Sequence, residues 1–318
     1  MSSETLHDQI DAPASGRSSD EERIAAAVPF GYEVIGPAGH GTFCDIWWIR
    51  EQSAGRHFAL KQLRPEWQDH PEGRQLLANE AHIGCLFQSS YVVRIVKYDV
   101  DCHRPYLIAE WFDGVSLDEK LSATGALLWT TGLWIARQCA AGLYDLERNG
   151  FSHGDVKPEN ILLGDDGGIK LLDLGFARRV RQSPRTEQTP AGKSTGHKRL
   201  VVGTADYLAP EVLSRGEYNP VTADVYSLGV TLYRVFSGRL PFFAENTAEI
   251  LRRHREVRAI PLAKRVPDLP AGIADLVMRM LAKQPLRRPH SFREPLWELI
   301  ALELDVLSQS NTETRGAA

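Results

Sequence analysis

Asp155, Lys157 and Asn160 stand close together in His153-Gly-Asp-Val-Lys-Pro-Glu-Asn160, and Asp173 follows in Leu171-Leu-Asp-Leu-Gly175. A carboxylate on a short loop can accept or orient the proton of a hydroxyl. A nearby lysine can stabilise negative charge on a reacting group. The oxygens of Asn160 and Asp173 are the ligand type that hard divalent cations prefer. Upstream, Gly39 and Gly41 in Gly39-His-Gly-Thr-Phe-Cys44 allow a close approach of backbone to a ligand. Lys61 in Phe58-Ala-Leu-Lys61 and Glu80 in Asn79-Glu-Ala-His-Ile83 supply an opposed pair of charges. Each feature has a plain structural alternative. An Asp can close a turn, a Lys–Glu pair can be an exposed ion pair of little energetic value, and a glycine hairpin can be a turn alone.

The elements that must position these groups fall into two regions. Tyr32 to Ile49 holds β-branched and aromatic residues split by a glycine turn, which predicts a hairpin. His57 to Leu63 predicts a strand, and Gly73 to Phe87 a helix with Leu76, Leu77, Ala81 and Leu86 on or near one face. From about Leu117 the pattern turns helical, over Trp129 to Asn149, Thr222 to Ser237, Ala244 to His254 and Ile273 to Ala282. Residues 1–27 and 306–318 are polar and small in character, too poor in apolar surface to offset ordering, and are predicted to be disordered tails.

The chain has 318 residues, 43% hydrophobic and 25% charged, enough to bury a full core in a two-lobed unit. A formal charge of −4 and a pI near 6.2 give no reason to expect nucleic acid or an anionic membrane as a partner. Cys44, Cys85, Cys102 and Cys139 are scattered without zinc-like spacing, as expected for reduced thiols. The N-terminus lacks the apolar run of a signal peptide. The apolar-looking stretch Leu133 to Leu146 is broken by Arg137, Gln138 and Asp145. These features predict a cytoplasmic protein with no membrane partner.

His153 to Leu163, Leu171 to Ala177 and Gly203 to Leu213 occur in one order. They resemble the catalytic loop, metal-binding turn and activation-segment end of the eukaryotic-like (Hanks-type) serine/threonine protein kinase family. The resemblance covers roughly residues 32 to 303. It implies an α+β bilobal fold, with a β-rich N-lobe containing one helix (28–110), a hinge (110–114) and a mostly helical C-lobe (115–305). It also implies transfer of the ATP γ-phosphate to Ser or Thr hydroxyls of protein substrates, with Mg²⁺ as the metal. Asp155 then acts on the hydroxyl proton, and Lys157 stabilises charge on the transferring group. Asn160 and Asp173 hold the metal. Gly39, Gly41, Ile46, Ala59, Ala109, Glu110 and Leu162 join Lys61 and Glu80 in binding the nucleotide.

Further residues follow from the same resemblance. Arg288 is similar to the family's distant partner of Glu211, and Asp224 to the buried residue that braces the catalytic loop. Ala109 falls at the gatekeeper position, where a small side chain opens a back pocket.

Three departures stand out. Cys44 replaces the third loop glycine. Gly154 replaces the Arg that often pairs with a phosphorylated loop residue, so activity is expected to depend less on such phosphorylation. Gly84 replaces a large apolar side chain that usually links the lobes, so a gap is expected there. The stretch between Gly175 and Gly203 is rich in Arg and Lys, with Ser183, Thr186, Thr189, Ser194 and Thr195 interspersed, which suggests autophosphorylation and self-association for it. Two rivals are weighed: a pseudokinase scaffold that binds nucleotide without turnover, supported by Gly84, Cys44 and Gly154, and an antibiotic-kinase-like phosphotransferase, which shares His153-Gly-Asp155 and Asn160. Lys157-Pro-Glu159 and the later Ala209-Pro-Glu211 do not fit the second.

Overall fold

The computed structural model describes residues 28–86, 88–180, 205–213 and 218–316. The N-terminal segment 1–27 and the serines and threonines expected to be phosphorylated lie outside them, as do Gly203 and Thr204.

Strands β1 (Tyr32–His40) and β2 (Cys44–Glu51) form the expected hairpin. The Gly41 N–H donates to the Cys44 carbonyl at 2.8 Å to close its turn. Strands β3 (His57–Leu63), β4 (Ile95–Asp99) and β5 (Tyr106–Glu110) complete an antiparallel sheet of order β1-β2-β3-β5-β4. Helix α1 (Pro71–Gly84) packs on it, burying Leu77 and Ala81 against Leu63, Val93, Ile95 and Leu107. Pro71 suits the first turn because its missing N–H would have no helical partner there. Residues 111–113 cross to the second lobe, and the Trp111 ring stacks on Trp48 of β2 at 5.3 Å.

The second lobe begins with β6 (Gly114–Ser116) and helix α2 (Leu117–Thr124), which Ser116 and Glu119 cap reciprocally. Helix α3 (Trp129–Arg148) then leads to β7 (Phe151–Ser152). The short pair β8 (Ile161–Gly164) and β9 (Ile169–Leu171) follows, with β10 (Arg178–Arg179) returning beside β7. Helices α4 (Pro220–Ser237), α5 (Thr247–Glu256), α6 (Leu262–Arg265), α7 (Ala271–Met280) and α8 (Arg293–Gly316) make up the rest. Leu143 and Leu146 of α3, Leu228, Leu232 and Phe236 of α4 and Ile273 and Leu276 of α7 share one core. The chain is thus α+β, with a β-rich small lobe carrying one long helix and a mostly helical large lobe.

The structure corrects three expectations. The C-terminal segment 306–318 was expected to be a disordered tail, but α8 continues through Gly316. Its one proline, Pro295, lies in the first turn, where a missing N–H costs no helical bond, no glycine falls within it before Gly316, and Val306 packs against the large-lobe core. Helix α5 starts at Thr247 rather than Ala244, because the Asn246 side chain caps it by accepting from the Glu249 N–H at 2.9 Å.

The third correction concerns Gly84. The space a side chain would take is already filled: a Cβ built on Gly84 would lie 2.4 Å from Cγ1 of Ile95. Ile95, on β4, already fills the space, and glycine lets α1 approach that strand. Replacing Gly84 with Leu is therefore expected to destabilise the fold by about 1–3 kcal/mol through overpacking. Ile95→Ala in the same chain should recover part of the loss. Denaturant unfolding of the single and double variants checks this; stabilisation by Gly84→Leu would mean that a void is present.

Candidate active site

A cleft of about 540 Å³ lies between the lobes. Strands β2 and β3 bring Ile46, Ala59 and Lys61 to its roof, and Leu162 of β8 forms floor below them. Period-2 alternation puts Ala59 and Lys61 on one face of β3 while Leu60 is fully buried behind. Ala109, 6% exposed, and Glu110 border it from β5, and Leu77, Val93 and Leu107 line it as well. Asp155, Lys157, Asn160 and Asp173 line the far end. Gly41 borders the cleft, whereas Gly39 does not; its strand neighbours Ala38 and His40 do. The Glu110 carboxylate accepts from Lys170 at 2.6 Å and from the Arg94 N–H at 3.1 Å, which leaves the cleft to its main chain.

The loop carrying Asp155 is braced from below. Asp224 of α4 accepts the main-chain N–H groups of His153 (2.5 Å) and Gly154 (2.8 Å). Asp155 Oδ2 accepts from Lys157 Nζ at 2.7 Å and from Asn160 Nδ2 at 2.9 Å. Asn160 Nδ2 also donates to the Asp155 carbonyl at 2.9 Å. The amide nitrogen of Asn160 is thereby engaged, which leaves its oxygen as the ligating end.

Lys61 Nζ donates to Glu80 Oε2 at 2.6 Å and lies 3.2 Å from Asp173 Oδ1. Glu80 comes from α1, and Asp173 is the one described non-glycine residue with positive φ, at 62°. Such a conformation costs about 1–3 kcal/mol and persists where surroundings hold it. Burial works against the Lys61 ammonium, but Asp173 and Glu80 outweigh it and keep its pKa above the ordinary lysine value. For Asp173, burial is likewise overcome, mainly by Lys61, so its carboxyl stays below its usual range. Burial pushes Glu80 up to about 7 against the pull of Lys61, with Asp173 adding to the rise. One ammonium thus serves two carboxylates. Asp173 is thereby held as a carboxylate, and the oxygens of Asn160 and Asp173 are the hard donors Mg²⁺ takes alongside phosphate oxygens.

Two of the departures resolve here. Cys44 is buried among Leu63, Leu77 and Ile95, and burial pushes its thiol up to about 12; it is an apolar roof atom rather than a nucleophile. Leu174 is buried as an apolar plug. Gly154 has φ +81°, and a Cβ there would lie 2.3 Å from the Phe176 carbonyl oxygen, so the loop needs glycine at this position for its own geometry.

One contact was not legible in sequence. Asn79 of α1 points its amide at the turn following Asp173, and nothing in its local pattern marks it.

A two-lobed fold with this cleft defines a family, and the chain belongs to it: residues 32–296 match the protein kinase domain. It is 32% identical over 272 residues to the Corynebacterium efficiens protein named serine/threonine-protein kinases drp72, covering 80% of this chain and 49% of that protein. It is 30% identical over 256 residues to the serine/threonine-protein kinase PknA of Mycobacterium tuberculosis, covering 79% of this chain and 56% of that one. With the serine/threonine-protein kinase PrkC of Bacillus subtilis it shares 27% identity, over 81% of this chain and 38% of the relative. The chain thus spans between 31% and 56% of the length of such relatives.

Proposed function

We propose that the chain is a serine/threonine protein kinase, transferring the γ-phosphoryl group of ATP to protein Ser or Thr hydroxyls. The observation that carries this reading is the convergence of Lys61, Glu80, Asp155, Asn160 and Asp173 on one cleft. Ile46, Ala59 and Leu162 would sandwich the adenine ring, with Ala109 and the Glu110 main chain at its edge. Gly41 would bring main-chain N–H groups to the phosphates, with Gly39 shaping the strand behind it. Lys61, fixed by Glu80, would hold the α- and β-phosphate oxygens.

Asp155 accepts or orients the proton of the attacking hydroxyl, and Lys157 stabilises the charge on the group in transfer. Asn160 and Asp173 would hold Mg²⁺, which when bound neutralises phosphate charge. With every charged group of the set in place, transfer is favoured over nucleotide binding alone. The serine/threonine preference is supported by the names of the relatives, and protein rather than small-molecule acceptors by the Ala209-Pro-Glu211 segment with its Arg288 partner. No helix among the described residues is long and apolar enough to cross a membrane; a cytoplasmic location and self-association for autophosphorylation complete the reading.

The experiment is incubation of the protein with γ-labelled ATP and a generic basic protein, with Mg²⁺ or with a chelator. Label on protein that requires the divalent cation is the expected result. Nucleotide binding without transfer under either condition would defeat the reading.

A further inference from the structure

Helix α1, which carries Glu80, is seated by carbonyl oxygens of this same chain. In its first turns Arg74 donates to the carbonyls of Gln68 (2.5 Å), Val100 (3.1 Å) and Cys102 (3.3 Å). Beside Glu80, Asn79 Nδ2 lies 3.3 Å from the Leu174 carbonyl oxygen, 2.8 Å from that of Gly175 and 2.9 Å from that of Ala177. An amide nitrogen has two hydrogens, and the two shorter contacts use both. All three acceptors belong to the turn that follows Asp173. The opposite side of that turn is closed by the catalytic loop, where the Phe176 carbonyl sits over Gly154 too closely for any side chain. The turn is therefore gripped from α1 above and from the catalytic loop below.

We propose that Asn79 is a positioning residue: it fastens the Asp173-Leu-Gly175 turn to α1, and so holds Glu80 and Asp173 together around Lys61 without help from phosphate. The inference rests on the kinase reading above. The contacts need a donor, and the Asn79 amide supplies it. A carboxylate of the same shape would turn acceptors toward acceptors, and alanine would leave the carbonyls of Gly175 and Ala177 without this donor. Either change frees α1 and the turn to separate, and with them the two acids that share Lys61.

The test uses the full chain, untreated and after phosphatase treatment, with the variants Asn79→Ala, Asn79→Asp, Asn79→Gln, Glu80→Gln and the double Asn79→Ala/Glu80→Gln. Phosphatase-treated wild type should keep about half or more of its kcat, because the grip needs no phosphate. Asn79→Ala and Asn79→Asp should each lose about 10- to 100-fold in kcat through misplacement, with Asn79→Gln, which retains the amide, recovering part of it. The double variant should fall no more than about twofold below Glu80→Gln, since Asn79 acts through the Glu80–Lys61–Asp173 arrangement that Glu80→Gln already breaks. A merely structural role would instead multiply the two losses.

Multiplied losses would overturn the proposal, as would wild-type-like kcat in Asn79→Asp, or loss of most wild-type activity on phosphatase treatment. If Asn79→Ala fails to fold, the near-isosteric Asn79→Asp, with its own Glu80→Gln double, carries the same comparison. Wild type that transfers no phosphate at all would remove the kinase reading itself, an outcome separate from an active wild type with indifferent Asn79 variants.

Discussion

An Asp155→Asn variant is expected to lose roughly 10²- to 10⁴-fold in kcat while keeping its affinity for ATP. Asp155 Oδ2 receives hydrogen bonds from Lys157 and Asn160. A carboxylate so held has its second oxygen left for the substrate hydroxyl. An amide at the same place offers one oxygen and an N–H₂ group, which must either meet Lys157 and Asn160 donor to donor or face the hydroxyl without a basic oxygen. Ile46, Ala59 and Lys61, the residues proposed to hold the nucleotide, lie on the strands of the other lobe. The split between kcat and ATP affinity is therefore the signature. Steady-state kinetics with a nucleotide titration measure both, and a loss of less than about tenfold would take Asp155 out of proton handling.

Arg288→Ala is expected to give the largest loss of stability. Its guanidinium is buried, pairs with both carboxylate oxygens of Glu211 at 2.6 and 2.9 Å, and donates to the carbonyls of Thr222, Ala282 and Lys283. Removing it leaves a nearly buried Glu211 charge and three carbonyls without these donors. Breaking a buried pair by deleting one partner costs about 3–5 kcal/mol, far above the value of an exposed pair such as Arg252–Glu256. Unfolding in urea should show a lower midpoint with an unchanged slope. Because Glu211 ends the segment that reaches this lobe, activity should fall along with stability. A change below about 1 kcal/mol would mean that the pair is solvated in practice.

Much of the site was legible in sequence because its chemistry depends on residue types that stand close along the chain. Asp155, Lys157 and Asn160 sit on one loop, and β3 shows its role by alternation around Lys61. The order of a β-rich region and then a helical one followed from the change of periodicity near Leu117, and the bilobal fold from the family resemblance. What escaped depends on distant partners. Gly84 reads as a hole until Ile95, across a strand, is seen to occupy it. Gly154 reads as a lost arginine until the Phe176 carbonyl is found above it. Asn79 grips carbonyls at Leu174, Gly175 and Ala177, and backbone acceptors leave no trace in side-chain pattern. The two- and three-residue strands β6, β7, β9 and β10 are too short for any alternation to register.

The central claim is transfer from ATP to a protein hydroxyl, and phosphoamino-acid analysis after labelling tests it most directly. The wild-type chain, incubated with γ-labelled ATP, Mg²⁺ and a generic basic protein, should yield phosphoserine or phosphothreonine, and Asp155→Asn should yield almost none. Label confined to a small-molecule acceptor, or equal labelling by the Asp155→Asn variant, would contradict the account.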